Sequence, residues 1–186
     1  MSSMSIFIFL LPLTLCLSLR LHLVAADLSI INNVNNLIEK ACSNSAHKDF
    51  CLSVLNFNNE TQNADLKGLA FIALKAAEKN ATDTSVRIKL WLGDENVQPA
   101  VSDGLSDCDK EYLDAIDQIE DSINALVSNA LDDVKSWVED ALADIDTCEK
   151  SIQGQPGYSL ELARENQVLR KLCYTALDIV QVLATN

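Results

Sequence analysis

CDKEYLDAIDQIEDSINALVSNALDDVKSWVEDALADIDTC, residues 108–148, carries two apolar stripes separated by a short polar step, and the relation between them decides the fold. Tyr112, Ile116, Ile119, Ile123 and Leu126 recur at steps of four, three, four and three, one face of an amphipathic helix. Val134, Val138, Ala141, Ile145, Cys148 and then Ile152 repeat the pattern. The step between them, Ser128-Asn129-Ala130-Leu131-Asp132-Asp133, offers Asp132 and Asp133 as N-caps and holds no proline. Two helices joined by a tight turn are expected, packed as an antiparallel hairpin. Cys108 is read as the start of the first helix, about 20 residues before the turn, and Cys148 lies about 17 after it. At ~1.5 Å rise per residue both thiols reach the same end of the hairpin. A Cys108–Cys148 bond would close a loop of about 40 residues, which chain entropy rates at ~4 kcal/mol.

Working outward, a third stripe runs through Leu162, Asn166, Leu169, Cys173, Ala176, Val180 and Leu183. Gly154-Gln155-Pro156-Gly157 breaks the chain before it, and Ser159 is a plausible N-cap. Cys173 falls on the buried face, where a lone thiol behaves as a small apolar residue; it is read as a free, inert core cysteine. Upstream, Asp65-Leu66-Lys67-Gly68-Leu69 opens an alanine-rich helix running to Ile88 and Trp91. Gly93, Pro99 and Gly104 suggest a loop from there to Cys108. No strand signal occurs. The fold class is therefore all-α, an antiparallel four-helix bundle. Ahead of it, a short helix from Ile30 to Ala41, the turn CSNSAHKDFC and a segment from Phe50 to Leu55 form a helical hairpin. Such short helices are marginal alone, and a Cys42–Cys51 bond would hold them together.

The first 26 residues read as a signal peptide. Ile6 to Leu19 is almost unbroken apolar sequence, too short for a membrane span, and Val24-Ala25-Ala26 suits cleavage after Ala26. Cys16 leaves with it, so five of six cysteines remain in an oxidising compartment: two disulfides and one thiol. The mature chain, 27–186, is one domain, with the helical hairpin over 27–63 and the bundle over 64–186. Asn59-Glu60-Thr61 and Asn80-Ala81-Thr82 make Asn59 and Asn80 glycosylation candidates.

The formal net charge is −13. Such a chain repels nucleic acid, anionic lipid and acidic polysaccharide; a basic or neutral protein surface is the expected partner. Catalytic equipment is missing. His22 lies in the leader and His47 in a polar turn, so no histidine metal site can be assembled. No GxSxG, P-loop or GxGxxG occurs. Asp132/Asp133 and Asp144/Asp146 are carboxylate pairs on helix faces rather than two acids in contrasting environments, and Asp144-Ile145-Asp146 lacks the glycine of a calcium loop. No catalytic, cofactor or metal residue is assigned. The sequence describes a binding protein, expected to be monomeric and not an enzyme.

Several stretches together resemble the plant invertase/pectin methylesterase inhibitor family. They are Cys42-x8-Cys51, Asp65-Leu66-Lys67-Gly68-Leu69, Cys108-x3-Tyr112-x2-Ala115, and Asp133-Val134-x-x-Trp137-Val138-x-x-Ala141-Leu142-x-Asp144-x-Asp146-Thr147-Cys148, with Asn166 and Leu172-Cys173 in the last helix. The resemblance spans about Leu37 to Leu183. It implies a helical hairpin beside a four-helix bundle, with the first cysteine paired to the second and the third to the fourth. It also implies inhibition of a cell-wall enzyme through a one-to-one complex over the substrate cleft. Pectin methylesterase inhibitors of this family look to the second and third bundle helices for contact, invertase inhibitors to a Pro-Lys-Phe motif near the start of the third. Here that region reads Leu131-Asp132-Asp133-Val134-Lys135-Ser136. Glu139 and Asp140 stand where small residues are usual, Ala143 for Thr or Asp, Ser45 for Thr and Ile152 for Phe.

The expectation is a secreted inhibitor of pectin methylesterase in the apoplast or cell wall. It would dock through the acidic outer face of the second and third bundle helices, Asp114, Asp117, Asp121, Asp140 and Asp144. Inhibition of a cell-wall or vacuolar acid invertase is the alternative, and a secreted recognition or structural paralogue without an enzyme target is a third. A lipid carrier fits less well, because helical carriers hold more cysteines than five.

Overall fold

The computed structural model describes residues 33–155 and 157–185; the leader expected over 1–26 lies outside them. Residues 33–41 form helix α1 and Lys48–Asn56 helix α2, followed by a 3-10 turn at Asn59–Asn63. Four long helices follow: α3 (Leu66–Leu92), α4 (Pro99–Val127), α5 (Leu131–Ser151) and α6 (Ser159–Ala184). No strand occurs among the described residues. Each long helix packs on its two neighbours in the ring α3–α4–α5–α6, the up-down-up-down arrangement that short connections impose. The chain is the all-α bundle with a leading hairpin that its periodicity predicts.

The three stripes become the core. Tyr112, Ile119, Ile123 and Leu126 of α4 are buried, as are Val134, Val138, Ala141, Ile145, Cys148 and Ile152 on and just after α5. Leu162, Asn166, Leu169, Cys173, Ala176 and Val180 face them from α6. α3 contributes Ala70, Ala73, Ala77 and Ala81, whose small side chains let it lie close to both neighbours. At the end of the α3 stripe, Thr84 is buried with its hydroxyl donating to the Asn80 carbonyl at 2.9 Å. Polar contacts cross the core at Tyr112, whose Oη donates to Asn166 Oδ1 at 2.7 Å, tying α4 to α6, and which also hydrogen-bonds with Thr84 of α3. Burial pushes the Tyr112 phenol well above its ordinary pKa, so it stays a donor.

α4 corrects one expectation. Pro99 is its first residue and not part of a loop, because a helix's first N–H has no intrahelical partner and proline lacks it anyway. Cys108 is thus more than two turns inside α4. Gly104, expected as a breaker, is buried in the helix instead: a Cβ there would meet the Ser151 carbonyl oxygen at 2.7 Å. Only glycine allows α4 and α5 to come this close. The Ser151 hydroxyl donates to the Cys148 carbonyl at 2.9 Å and to that of Gly104 at 3.3 Å. Just beyond, Cys108 and Cys148 are bonded, their Cα atoms 4.3 Å apart.

The caps also differ from expectation. Asp132 and Asp133 lie in the first turn of α5, where their charge suits the helix dipole, and do not cap it; the N-cap is Ala130, without a side-chain bond. The turn is instead fixed by the end of α4. Asn129 adopts φ 59°, the Ala130 N–H reaches Ala125 O at 2.9 Å, and the Asn129 N–H reaches Leu126 O at 3.1 Å. This is the Schellman closure, in which asparagine tolerates the left-handed position. Ser159 is the first residue of α6, and Tyr158 occupies the N-cap without a side-chain bond. Asp65 does cap α3, accepting from the Gly68 N–H at 2.8 Å.

At the other end of the chain, Cys42 and Cys51 are bonded with Cα atoms 5.8 Å apart, and Lys48 pairs with Glu39 at 2.8 Å. The α1–α2 turn meets α6 through an Asp178–Ser45 hydrogen bond, and Lys171 Nζ sits 5.7 Å over the Phe50 ring. α2 packs on α3 and α6, not on α4 or α5. The outer faces of α4 and α5 are left uncovered by it.

Candidate protein-docking face

Charge is divided unevenly around the bundle. α4 carries eight Asp and Glu against Lys110 alone, and α5 carries seven against Lys135 and Lys150. α3 has five Lys and Arg against Glu78 and Asp83, and α6 is balanced. The net charge of −13 is therefore largely a property of one helix pair.

The five acidic candidates share that pair. Asp114, Asp117 and Asp121 follow one another at helical spacing on the outside of α4, and Asp140 and Asp144 do so on α5. Asp117, Asp121 and Asp140 are exposed, Asp114 and Asp144 half-buried. Asp114 holds Lys110 at 2.7 Å. Among the described residues the other four form no ion pair. By contrast, Asp146 and Glu149, on the α6 side of α5, are both clamped by Arg170, at 2.6 and 2.5 Å. For Asp146 and Glu149 the packing of α6 on α5 supplies the cation, whereas the Asp114 partner is local to α4.

Asp144 lies deepest in the α4–α5 seam. One of its oxygens, Oδ2, is buried without a hydrogen-bond partner. Burial first, and then the Glu111 and Asp114 carboxylates across the seam, push its pKa up to about 6, with Lys110 acting against them and Asp140 with them. Glu111, absent from the five candidates, belongs to this group; it lies one helical turn before Asp114 and shares Lys110 with it, at 3.4 Å. A second buried acceptor without a partner, Gln118 Oε1, lies on the same flank of α4. Trp137, 38 % exposed, projects from α5 between Asp133 and Asp140 at helical spacing.

The remaining candidates are placed as follows. Cys173 is a fully buried free thiol whose pKa burial drives up to about 12, which keeps it protonated and unreactive. Asn80 lies mid-way along α3 with its side-chain oxygen buried and without a partner, while Asn59 opens the 3-10 turn. His47 is exposed at the start of α2. No group of metal-ligating side chains gathers among the described residues, and no described helix is long and apolar enough to cross a membrane.

The disulfide-stapled α4–α5 pair thus carries an exposed acidic face. Residues 36–179 match the model of the plant invertase/pectin methylesterase inhibitor family, and the chain belongs to that family, one of inhibitors and not enzymes. It is 28% identical over 150 residues to a pectinesterase inhibitor of Actinidia deliciosa, covering 81% of this chain and 78% of that one. It is 29% identical over 185 residues to the cell wall / vacuolar inhibitor of fructosidase 2 of Arabidopsis thaliana, covering 98% and 99%. A mutant form of an Arabidopsis pectin methylesterase inhibitor superposes with a TM-score of 0.67 at 26% identity, over 77% of this chain and 95% of that one.

Proposed function

We propose that the chain is a secreted inhibitor of a pectin methylesterase, which it silences by seating the outer faces of α4 and α5 over the substrate cleft in a one-to-one complex. The family makes an esterase and an invertase the two targets to weigh, and identity alone does not choose, since it is 28% to a relative of one kind and 29% to a relative of the other. The observation that carries the choice is the unpaired acidity of α4 and α5. An enzyme that strips methyl esters from pectin must handle a polymer gaining carboxylates, and a cleft with cationic side chains suits that polyanion. Such a cleft also attracts this face, raising the association rate and disfavouring wrong registers. A fructosidase works on neutral sugar with a pair of its own carboxyl groups, and an acidic helix pair is repelled from their neighbourhood. The missing Pro-Lys-Phe at Leu131–Ser136 points the same way.

On this reading Asp117, Asp121 and Asp140 meet the enzyme directly, and Asp114 and Asp144 sit at the seam. The leader over 1–26 directs secretion to the apoplast, the hairpin over 27–63 braces α3 and α6, and the bundle over 64–186 presents the face. Purified protein titrated against one pectin methylesterase and one acid invertase tests it. Inhibition of the esterase ending at one inhibitor per enzyme, with the invertase untouched, is expected. The reverse pattern would transfer the target to the invertase, and inhibition of neither would leave a recognition protein without an enzyme target.

A further inference from the structure

We propose that Trp137 anchors the docking face and that the partner meets it with an arginine guanidinium, held over the indole and between the carboxylates of the α4–α5 seam. This rests on the reading of α4 and α5 as the enzyme-facing pair.

The two tryptophans of the chain have opposite surroundings. Trp91 is used internally, its ring 5.1 Å from that of Tyr158. Trp137 has no ring or cation partner among the described residues and keeps 38 % of its surface exposed. Large exposed aromatics on a rigid helix are the residues on which interfaces concentrate their binding energy. The surroundings specify what should meet it. Asp133 and Asp140 flank Trp137 along α5, four residues before and three after. The Cys108–Cys148 bond at one end and the Asn129 turn at the other set the register, so the Gln118–Asp121 turn of α4 falls opposite.

No lysine of this seam is available to neutralise it. Lys110 is held by Asp114 and Glu111, and Lys135 points to Glu139 at 3.8 Å. A face that combines an exposed indole with exposed, unpaired carboxylates is complementary to a planar cation with several N–H groups. Arginine fits this better than lysine: its guanidinium stacks on an indole and donates in a fixed fork, whereas an ammonium is a strongly hydrated point charge.

Two measurements on the full mature chain test the inference. In the first, hexa-arginine and hexa-lysine peptides are titrated against wild type and Trp137→Phe while tryptophan fluorescence is followed. Quenching by hexa-arginine in wild type, its loss in Trp137→Phe where only Trp91 remains, and a clearly weaker response to hexa-lysine are expected. Equal quenching by the two peptides, or quenching that survives in Trp137→Phe, overturns the proposal. In the second, Trp137→Ala and Trp137→Phe are compared as esterase inhibitors, with helical circular dichroism as the check on folding. Loss of about 30-fold or more in affinity for Trp137→Ala, with a smaller loss for the aromatic replacement, is expected. A folded Trp137→Ala that inhibits like wild type contradicts the anchor while leaving the esterase reading intact. If wild type inhibits no esterase, that reading fails and the peptide titration alone decides the fate of the seam.

Discussion

The α3–α6 half of the bundle and the α4–α5 half are built on the same apolar periodicity but treat their surface charge in opposite ways. On α3 every cation is engaged: Lys75 with Glu78, Lys79 with Asp83 at 2.7 Å, Arg87 with Glu165 at 2.5 Å, Lys89 with Asp109 at 3.8 Å. Lys67 completes the set by bonding the Val127 carbonyl at 2.9 Å and Asn129 Oδ1 at 2.8 Å. On α4 and α5 the acids outnumber their partners, and four of the five candidates have none. Exposed pairs are worth only about 0–1 kcal/mol each, so pairing on α3 does little for stability; what it does is leave that half electrically quiet. Crowding like charge on the other half costs some stability through self-repulsion. A surface that keeps such a cost is where function is to be sought.

The most damaging change to this division is removal of the staple that holds the acidic pair together. Cys148→Ser is expected to cost about 2–5 kcal/mol, seen as a lower midpoint in urea, with inhibition lost in proportion to the unfolded fraction. Next comes the charge itself. Asp117→Asn, Asp121→Asn and Asp140→Asn combined should slow association with the esterase by about 10- to 100-fold at low salt. Lys75→Gln with Lys79→Gln on α3 should leave it unchanged; a matching effect from both sets would erase the distinction between the halves. Gly104→Ala forces α4 and α5 apart beside the disulfide and should cost about 1–3 kcal/mol, readable by thermal melting.

Asp144 gives a pH signature. Its folded pKa, about 6, lies above the ordinary 3.8, so its stabilising contribution is fully present below about pH 4 and is lost as pH rises through 6. Asp144→Asn should flatten the thermal stability profile across that window and raise the melting temperature at pH 7. A profile that keeps its slope would place the titration elsewhere. The smallest effect is expected at Cys173: Cys173→Ser should cost far less than Cys148→Ser and leave both disulfides in place by peptide mapping.

Periodicity revealed the buried faces of α4, α5 and α6 because each holds its apolar residues to one stripe. α3 was harder to bound: alanine gives a weak contrast between faces, and Thr84 and Ser85 lie on its buried side. Gly104 and Pro99 differ from their local signal for another reason. Both residues break helices when considered locally, and only the closeness of Ser151 and the free first turn of α4 make them favourable here. The turn into α5 hid its device as well, because Asn129 closes α4 where Asp132 and Asp133 looked like caps for α5. For the docking face, the acidic stripe was readable from spacing. The Lys110–Asp114 pair was readable too, at i,i+4 within α4, but the neutralisation of Asp146 and Glu149 was not, since Arg170 reaches them only once α5 and α6 are packed. Trp137 belongs to the stretch that resembles the family, but its exposure beside the acidic residues depends on the fold.

The most direct test of the acidic-face account is the rate of association between the mature protein and a pectin methylesterase, measured against ionic strength for wild type and for the chain carrying Asn at 117, 121 and 140. The account predicts a steep fall with salt for wild type and a clearly shallower fall for the variant, the two converging at high salt. Parallel slopes, or a wild-type rate indifferent to salt, would contradict it.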